Sequence, residues 1–337
     1  MRGVTVRAWH VAATRRRGLA VAGVSAASVW RVAPAEDPDA IDTVYVEDQL
    51  DQACQRAIDF LLRNQRAGGG ITDRGHELAL TSLSIMALAA LGTEPSEASR
   101  PGRAMRAALD FVLHPRNQTE AGYFGSHDGS RMYGHGIVTL MLTEMLGMGA
   151  TEEQNERIHE RLDRALRLIL SSQAVRKEKK LRGGWRYAPG SRDSDLSVSI
   201  WQLMALRSAK NDGMDVPGEA IEQALGYLRN SFTGRRTRGG VGEGGFSYTP
   251  GQSRPSFTMT AAGLLAMQVC GQYDAPEVAA AAEWLLSHPP KSNERYLFYG
   301  LYYYAQGMHQ VGGHSAEESS RIVSSMLLPR QRRDGSW

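Results

Sequence analysis

The sequence is short of several things, and each shortage closes off a class of protein. It has two cysteines, Cys54 and Cys270, far apart and outside any Cys-x-x-Cys spacing. Neither a disulfide framework nor a thiolate zinc cluster is therefore expected. Each reads as a small buried apolar residue. No run of about 18 apolar residues occurs, which leaves no candidate transmembrane helix. No acidic residue precedes Glu36, although Arg2, Arg7, Arg15, Arg16, Arg17 and Arg31 all lie there. The formal charge of +3 belongs to that stretch, because the remainder carries 33 basic against 36 acidic groups. Without a basic body, nucleic-acid binding loses its motive force.

What the first 35 residues do have is an order. Thr14-Arg15-Arg16-Arg17 is followed by a mildly apolar run from Gly18 to Trp30, then Ala33-Pro34-Ala35. A basic segment, an apolar segment and a small-x-small site describe an export signal, with paired arginines of the twin-arginine kind. Residues 1–35 are thus expected to be a leader, and the chain periplasmic or secreted.

Beyond the leader, two kinds of helical segment alternate. One kind is amphipathic and charged, as in DQACQRAIDFLLRNQ and IHERLDRALRLILSSQ, with apolar residues at spacings of three and four. Thr151 with Gln154, and Ser315 with Glu318, read as capping boxes opening two of these helices. The other kind is apolar nearly all round, as in HELALTSLSIMALAAL and SFTMTAAGLLAMQVC. A helix without a polar face must be buried on every side. Glycine-rich loops join each charged helix to its apolar successor, except for HPPKSNER, which has no glycine. The unit recurs at roughly fifty residues, in the range of repeat architectures.

One set of helices enclosed by another implies a ring. The expected fold is all-α, an α/α toroid of helical hairpins over residues 48–337. Six outer segments but only five inner ones can be counted, and Trp337 closes the sixth loop. The chain is expected to be truncated in its sixth hairpin.

The loops carry a further pattern: Gln65 with Gly69-Gly70, Gln118 with Gly122-Tyr123-Phe124, Gln173 with Gly184-Trp185, Gly245-Phe246, and Gln331-Arg332-Arg333-Asp334-Gly335-Ser336-Trp337. These resemble the QW motifs of squalene-hopene cyclases and their relatives, with the last the nearest match. The resemblance covers residues 48–337 and points to the superfamily joining terpenoid cyclases and protein prenyltransferases. Physically such residues suit a structural role, since glycine turns the chain tightly and Gln bonds unpaired groups at a helix end.

Squalene-hopene cyclases carry Asp-x-Asp-Asp-Thr-Ala at the start of an inner helix, and its middle Asp protonates an alkene. Here Asp193-Ser194-Asp195-Leu196-Ser197-Val198 puts Asp195 at that position, with Leu196 in place of the neighbouring carboxylate. The resemblance implies an acid role for Asp195, with Asp193 beside it. From the residues alone, either carboxylate could instead cap the helix that follows. Aromatic faces stabilise carbocations, and Trp201, Tyr296, Tyr299, Tyr302, Tyr133 and His135 are candidate lining residues. Helix packing is the alternative for all of them, as for the neighbouring Phe298, Tyr303 and Tyr304. His127, Asp128 and His135 form the one local group with ligand chemistry, but their spacing fits no standard metal site. No Cys-Gly-Glu-Gln thioester motif occurs, and neither metal nor cofactor is expected.

Two functions remain. One is an exported binding scaffold with vestigial cyclase features, whose partner is an isoprenoid-like hydrophobic small molecule, or else a peptide or protein. The other is a cyclase-like isomerase using Asp195 as general acid in an aromatic-lined cavity. Asp195 sealed as a helix cap would favour the first, and Asp195 facing an open apolar cavity the second.

Overall fold

A computed structural model describes residues 40–237 and 240–337. The leader read into residues 1–35 lies outside them. Eleven α-helices run through the described residues in order: α1 (Ala40–Asn64), α2 (Glu77–Ala90), α3 (Arg100–Val112), α4 (Met132–Glu144), α5 (Glu152–Ala174), α6 (Leu196–Asn211), α7 (Gly218–Ser231), α8 (Phe257–Val269), α9 (Pro276–Ser287), α10 (Leu297–Val311) and α11 (Gly313–Leu327). A two-stranded antiparallel hairpin, β1 (Phe232–Thr237) and β2 (Gly240–Phe246), separates α7 from α8. The architecture is an all-α toroid.

The odd-numbered helices are the charged ones and form the outer layer. In α3 the buried positions are Gly102, Met105, Ala108, Leu109 and Val112, one stripe at helical spacing. The even-numbered helices form the inner layer, each packing on the next from α2 through to α10. In α4, α6 and α8 almost every residue is buried, glycines and threonines included. Ser99, Thr151, Asp195 and Ser256 cap α3, α5, α6 and α8 by accepting a first-turn N–H.

The same stitch recurs around the ring. The side-chain amide of Gln118 donates to Gly122 O, 3.1 Å, and to Arg161 O in α5, 2.9 Å. Gln65 does so to Gly69 and Ala104, Gln173 to Gly183 and Ala220, and Gln331 to Gly335 and Ala53. Each loop is thereby pinned to the next outer helix, and the last pins to the first. The glycine is needed because the backbone is left-handed there and lies against that helix. At Gly183 φ is +85°, and a Cβ would overlap the carbonyl oxygen of Gln223; Gly69, Gly122 and Gly335 share both features. Two residues past the glycine, the indoles of Trp185 and Trp337 donate to Ile169 O and Leu327 O, both at 2.9 Å.

A second stitch ties loop to inner helix. The backbone N–H of Ile71, Phe124, Trp185 and Phe246 meets, in turn, Thr81 Oγ1, His135 Nδ1, Ser199 Oγ and Thr260 Oγ1. His135 thus stands where α2, α6 and α8 carry a hydroxyl.

Two local expectations are corrected. Ser315 does not open a helix. α11 begins at Gly313, one residue after Gly312 (φ +81°) turns the chain out of α10, and Glu318 pairs with Arg321 instead. The glycine-rich stretch before α8 is a strand pair and not a plain loop. Phe232 there lies edge-on to Phe246, and Gly234 faces Gly244 across the ladder. The loop without glycine solves its turn with Tyr296, itself left-handed at φ +67°.

Candidate functional site

The loops that precede α2, α4, α6 and α8 converge on one rim and bond to one another. Gly129 N donates to Gly75 O, Met132 N to Tyr187 O and Leu196 N to Tyr248 O. Asp128, buried beneath, accepts from Leu78 N at 2.7 Å and so caps α2 from the neighbouring loop. It also accepts from Ser130 N and from the Ser130 hydroxyl. On this scaffold a cavity of about 520 Å³ opens, lined by His76, Gly129, Ser130, Arg131, Tyr133 and Tyr187. Its shape depends on Arg131, held at φ +54°, a conformation that costs a non-glycine residue of order 1 kcal/mol or more. His76 Nδ1 is buried there without a hydrogen-bond partner.

Asp195 lies deeper. It is fully buried, and its Oδ1 accepts from Val198 N at 2.9 Å and from Ser197 Oγ at 2.5 Å. The first bond makes it the N-cap of α6. Its Oδ2 has no hydrogen bond and faces Arg186 Nε at 3.4 Å. Arg186 also reaches Asp193, 3.5 Å, and lies over the rings of Tyr187 and Tyr248. Burial raises the Asp195 carboxyl above the ordinary 3.8; the Ser197 hydroxyl, the Val198 amide and the Arg186 charge pull the other way without cancelling it. Tyr133, which lines the rim cavity, donates to Ser197. A chain of hydroxyls therefore links the cavity to Asp195, whose carboxylate is itself buried.

The remaining candidates separate. Tyr299 donates to Ser197 O at 3.3 Å and accepts from Tyr303 at 3.0 Å, and burial lifts its hydroxyl to about 12. Trp201 is buried and stacked on Tyr302, with Tyr303 tilted against it. Tyr303 is buried with Trp201, and Tyr299 is half-buried beside them. Tyr296 and Tyr302 are exposed instead, Tyr296 to 62%. His135 is fully buried, with Nε2–H directed at Ala165 O, 3.2 Å. Burial lowers it to about 4, against the opposing bond to Ala165. Among the described residues, no three His, Cys, Asp or Glu side chains are grouped as a metal would require. Sequence reasoning missed Tyr187, Tyr248 and Arg186. The adjacency of Arg186 to the Gly184-Trp185 pair was the available signal.

The buried carboxyl makes a distinctive pH prediction. A carboxyl whose folded value is raised contributes most below its unfolded value. That contribution fades as pH climbs through the folded value. Asparagine keeps the cap and does not titrate. The melting temperature of the wild type relative to Asp195→Asn should therefore fall steadily as pH is raised from about 4. A difference independent of pH would show the carboxyl to be unshifted.

No protein-family model and no curated protein matches the chain. Solved structures do. A variant of the type II terpene cyclase MstE from Scytonema, without ligand, superposes with a TM-score of 0.56 at 18% identity, covering 87% of this chain and 81% of that one. Another MstE variant, in complex with geranylgeranyl dihydroxybenzoate as substrate, gives 0.54 at 18% identity over 87% and 82%. A protein from Actinoplanes gives 0.51 at 18% identity over 85% and 82%. At this identity the likeness is one of fold: the toroid is terpenoid-cyclase-like.

Proposed function

We propose that this chain is an exported binding scaffold that holds an isoprenoid-like small molecule without cyclising it. One observation carries the reading: the carboxylate at the proton donor's position is sealed and spent on capping α6. A general acid must come within hydrogen-bonding reach of the atom it protonates, and Asp195 is buried with its Oδ1 already taken by Val198 N and Ser197 Oγ. Leu196, where a second carboxylate would help tune the acid, is fully buried in the first turn of α6. The rim cavity offers tyrosine faces with a basic lip, which suits a largely apolar ligand. The ligand class is the one named for the MstE complex.

A second reading has one observation in its favour. Asp195 Oδ2 lacks a hydrogen bond and its carboxyl is raised, as a proton donor's would be. The test is incubation of the purified chain with squalene and geranylgeranyl compounds, followed by extraction and mass spectrometry. Unchanged ligand should be recovered with the protein, and Tyr187→Ala should weaken its retention by about tenfold through lost ring contact. A cyclised product that disappears in Asp195→Asn would replace the scaffold with the cyclase.

A further inference from the structure

The two rims of the toroid differ in charge. Segments leading out of the outer helices (65–76, 113–131, 175–195, 232–234 with 242–256, 288–296 and 328–337) hold 17 Lys or Arg against 9 Asp or Glu. Two of those acids, Asp128 and Asp195, are buried, and so is one of the bases, Lys177. Segments leading out of the inner helices (91–99, 145–151, 212–217, 270–275 and residue 312) hold five acids, Glu94, Glu97, Asp212, Asp215 and Asp274, and no Lys or Arg of their own, although Arg103, Arg106 and Lys210 of the flanking helices donate to carbonyls in them. The chain beyond the leader is almost balanced, so the asymmetry comes from sorting and not from composition.

On the basic rim, Arg74, Lys180, Arg192, Arg254 and Arg295 are all exposed. The N-termini of the inner helices point the same way and add their positive dipole ends. Exposed aromatics share this rim: Tyr296, with Arg295 over its ring at 4.9 Å, and Phe298, 52% exposed, two residues on. Cations interleaved with exposed aromatic rings match the headgroup layer of a bilayer, where the ring enters the interface and the charge meets lipid phosphate. A soluble polyanion would use the charge and leave Phe298 in water.

We infer that the basic rim docks on an anionic lipid bilayer, with the acidic rim facing away. Docking is peripheral, since no described helix is long and apolar enough to cross a membrane. It is electrostatic in the main, so it weakens as salt rises. The proposal stands apart from ligand retention, because vesicles without isoprenoid suffice to test it.

The experiment is co-sedimentation of the full chain with phosphatidylcholine vesicles, with and without phosphatidylglycerol. Binding is expected only with the anionic lipid, and it should fall at least about tenfold between roughly 0.1 M and 0.5 M salt. A variant with Arg74, Lys180, Arg192, Arg254 and Arg295 all changed to Gln should lose at least about tenfold in partitioning, while its melting temperature stays close to wild type. Phe298→Ser should bind more weakly at every salt concentration. Equal binding to neutral vesicles, or full binding by the five-fold variant, would overturn the proposal; the second result would move the contact to the leader. Binding to heparin but not to vesicles would assign the rim to a polyanion instead.

Discussion

Gly183→Ala should cost about 3 kcal/mol of stability, while Gly190→Ala in the same loop should stay within about 0.5 kcal/mol. The contrast isolates the stitch. At Gly183 a methyl group meets two penalties together: the left-handed backbone, and the carbonyl of Gln223 in the next outer helix. To relieve the overlap, the loop must lift off α7. That would break the bond from Gln173 to Ala220 O, 2.9 Å, and disturb Trp185, whose indole is bonded and buried. Gly190 has no atom within 4 Å of an added Cβ, and its φ is not in the left-handed range. Denaturant midpoints of the two variants against wild type give the comparison. A cost below about 1 kcal/mol at Gly183 would mean that the loops do not fasten the ring.

His135 should make the fold acid-sensitive in a window where most carboxylates are still ionised. Its folded value is lowered to about 4, below the ordinary 6.5, because charging it would bury a cation beside Phe124 and Ala165. The sign follows from proton binding. The unfolded chain takes up a proton at higher pH than the folded one, so the stabilisation is whole above 6.5 and drains away as pH falls towards 4. The loss amounts to about 3 kcal/mol across that window. His135→Thr restores the hydroxyl found at the equivalent position of α2, α6 and α8. It should flatten this limb while leaving stability above pH 7 within about 2 kcal/mol of wild type. An unchanged acid limb in the Thr variant would exonerate His135.

The two predictions show which levels of the structure were legible in the amino acids. The layers were, because helices apolar all round have one stable location and amphipathic ones another. Thr81 and Ser84 in α2, or Thr139 and Thr143 in α4, did not hide this, since their buried hydroxyls donate to backbone carbonyls three or four residues back in the same helix. The glutamines and glycines of the loops were visible as well, but not their partners: Ala104, Arg161 and Ala220 lie 39 to 47 residues from the glutamines that bind their carbonyls. His135 drew attention as a histidine among aromatics. Its true counterparts, Thr81, Ser199 and Thr260, are chemically unlike it, and only geometry aligns them. Ser315 misled because a capping pattern is local, whereas the chain reversal at Gly312 had already committed the following residues to helix. The strand pair before α8 was hidden by glycine, which specifies little on its own; Phe232 and Phe246 supply the contact that makes it a hairpin. The Asp195 neighbourhood divides the same way: its motif is in the sequence, but its seclusion comes from Tyr133, Tyr248 and Tyr299 on three other segments.

The closing bond of the ring also bears on how the protein is made. Gln65, Gln118 and Gln173 each reach an outer helix that emerges next, so those stitches can form in order behind the growing chain, each closing a short loop at modest entropic cost. Gln331 is different: its partner Ala53 lies 278 residues earlier. The first outer helix therefore waits through synthesis of the segments in between before this partner arrives.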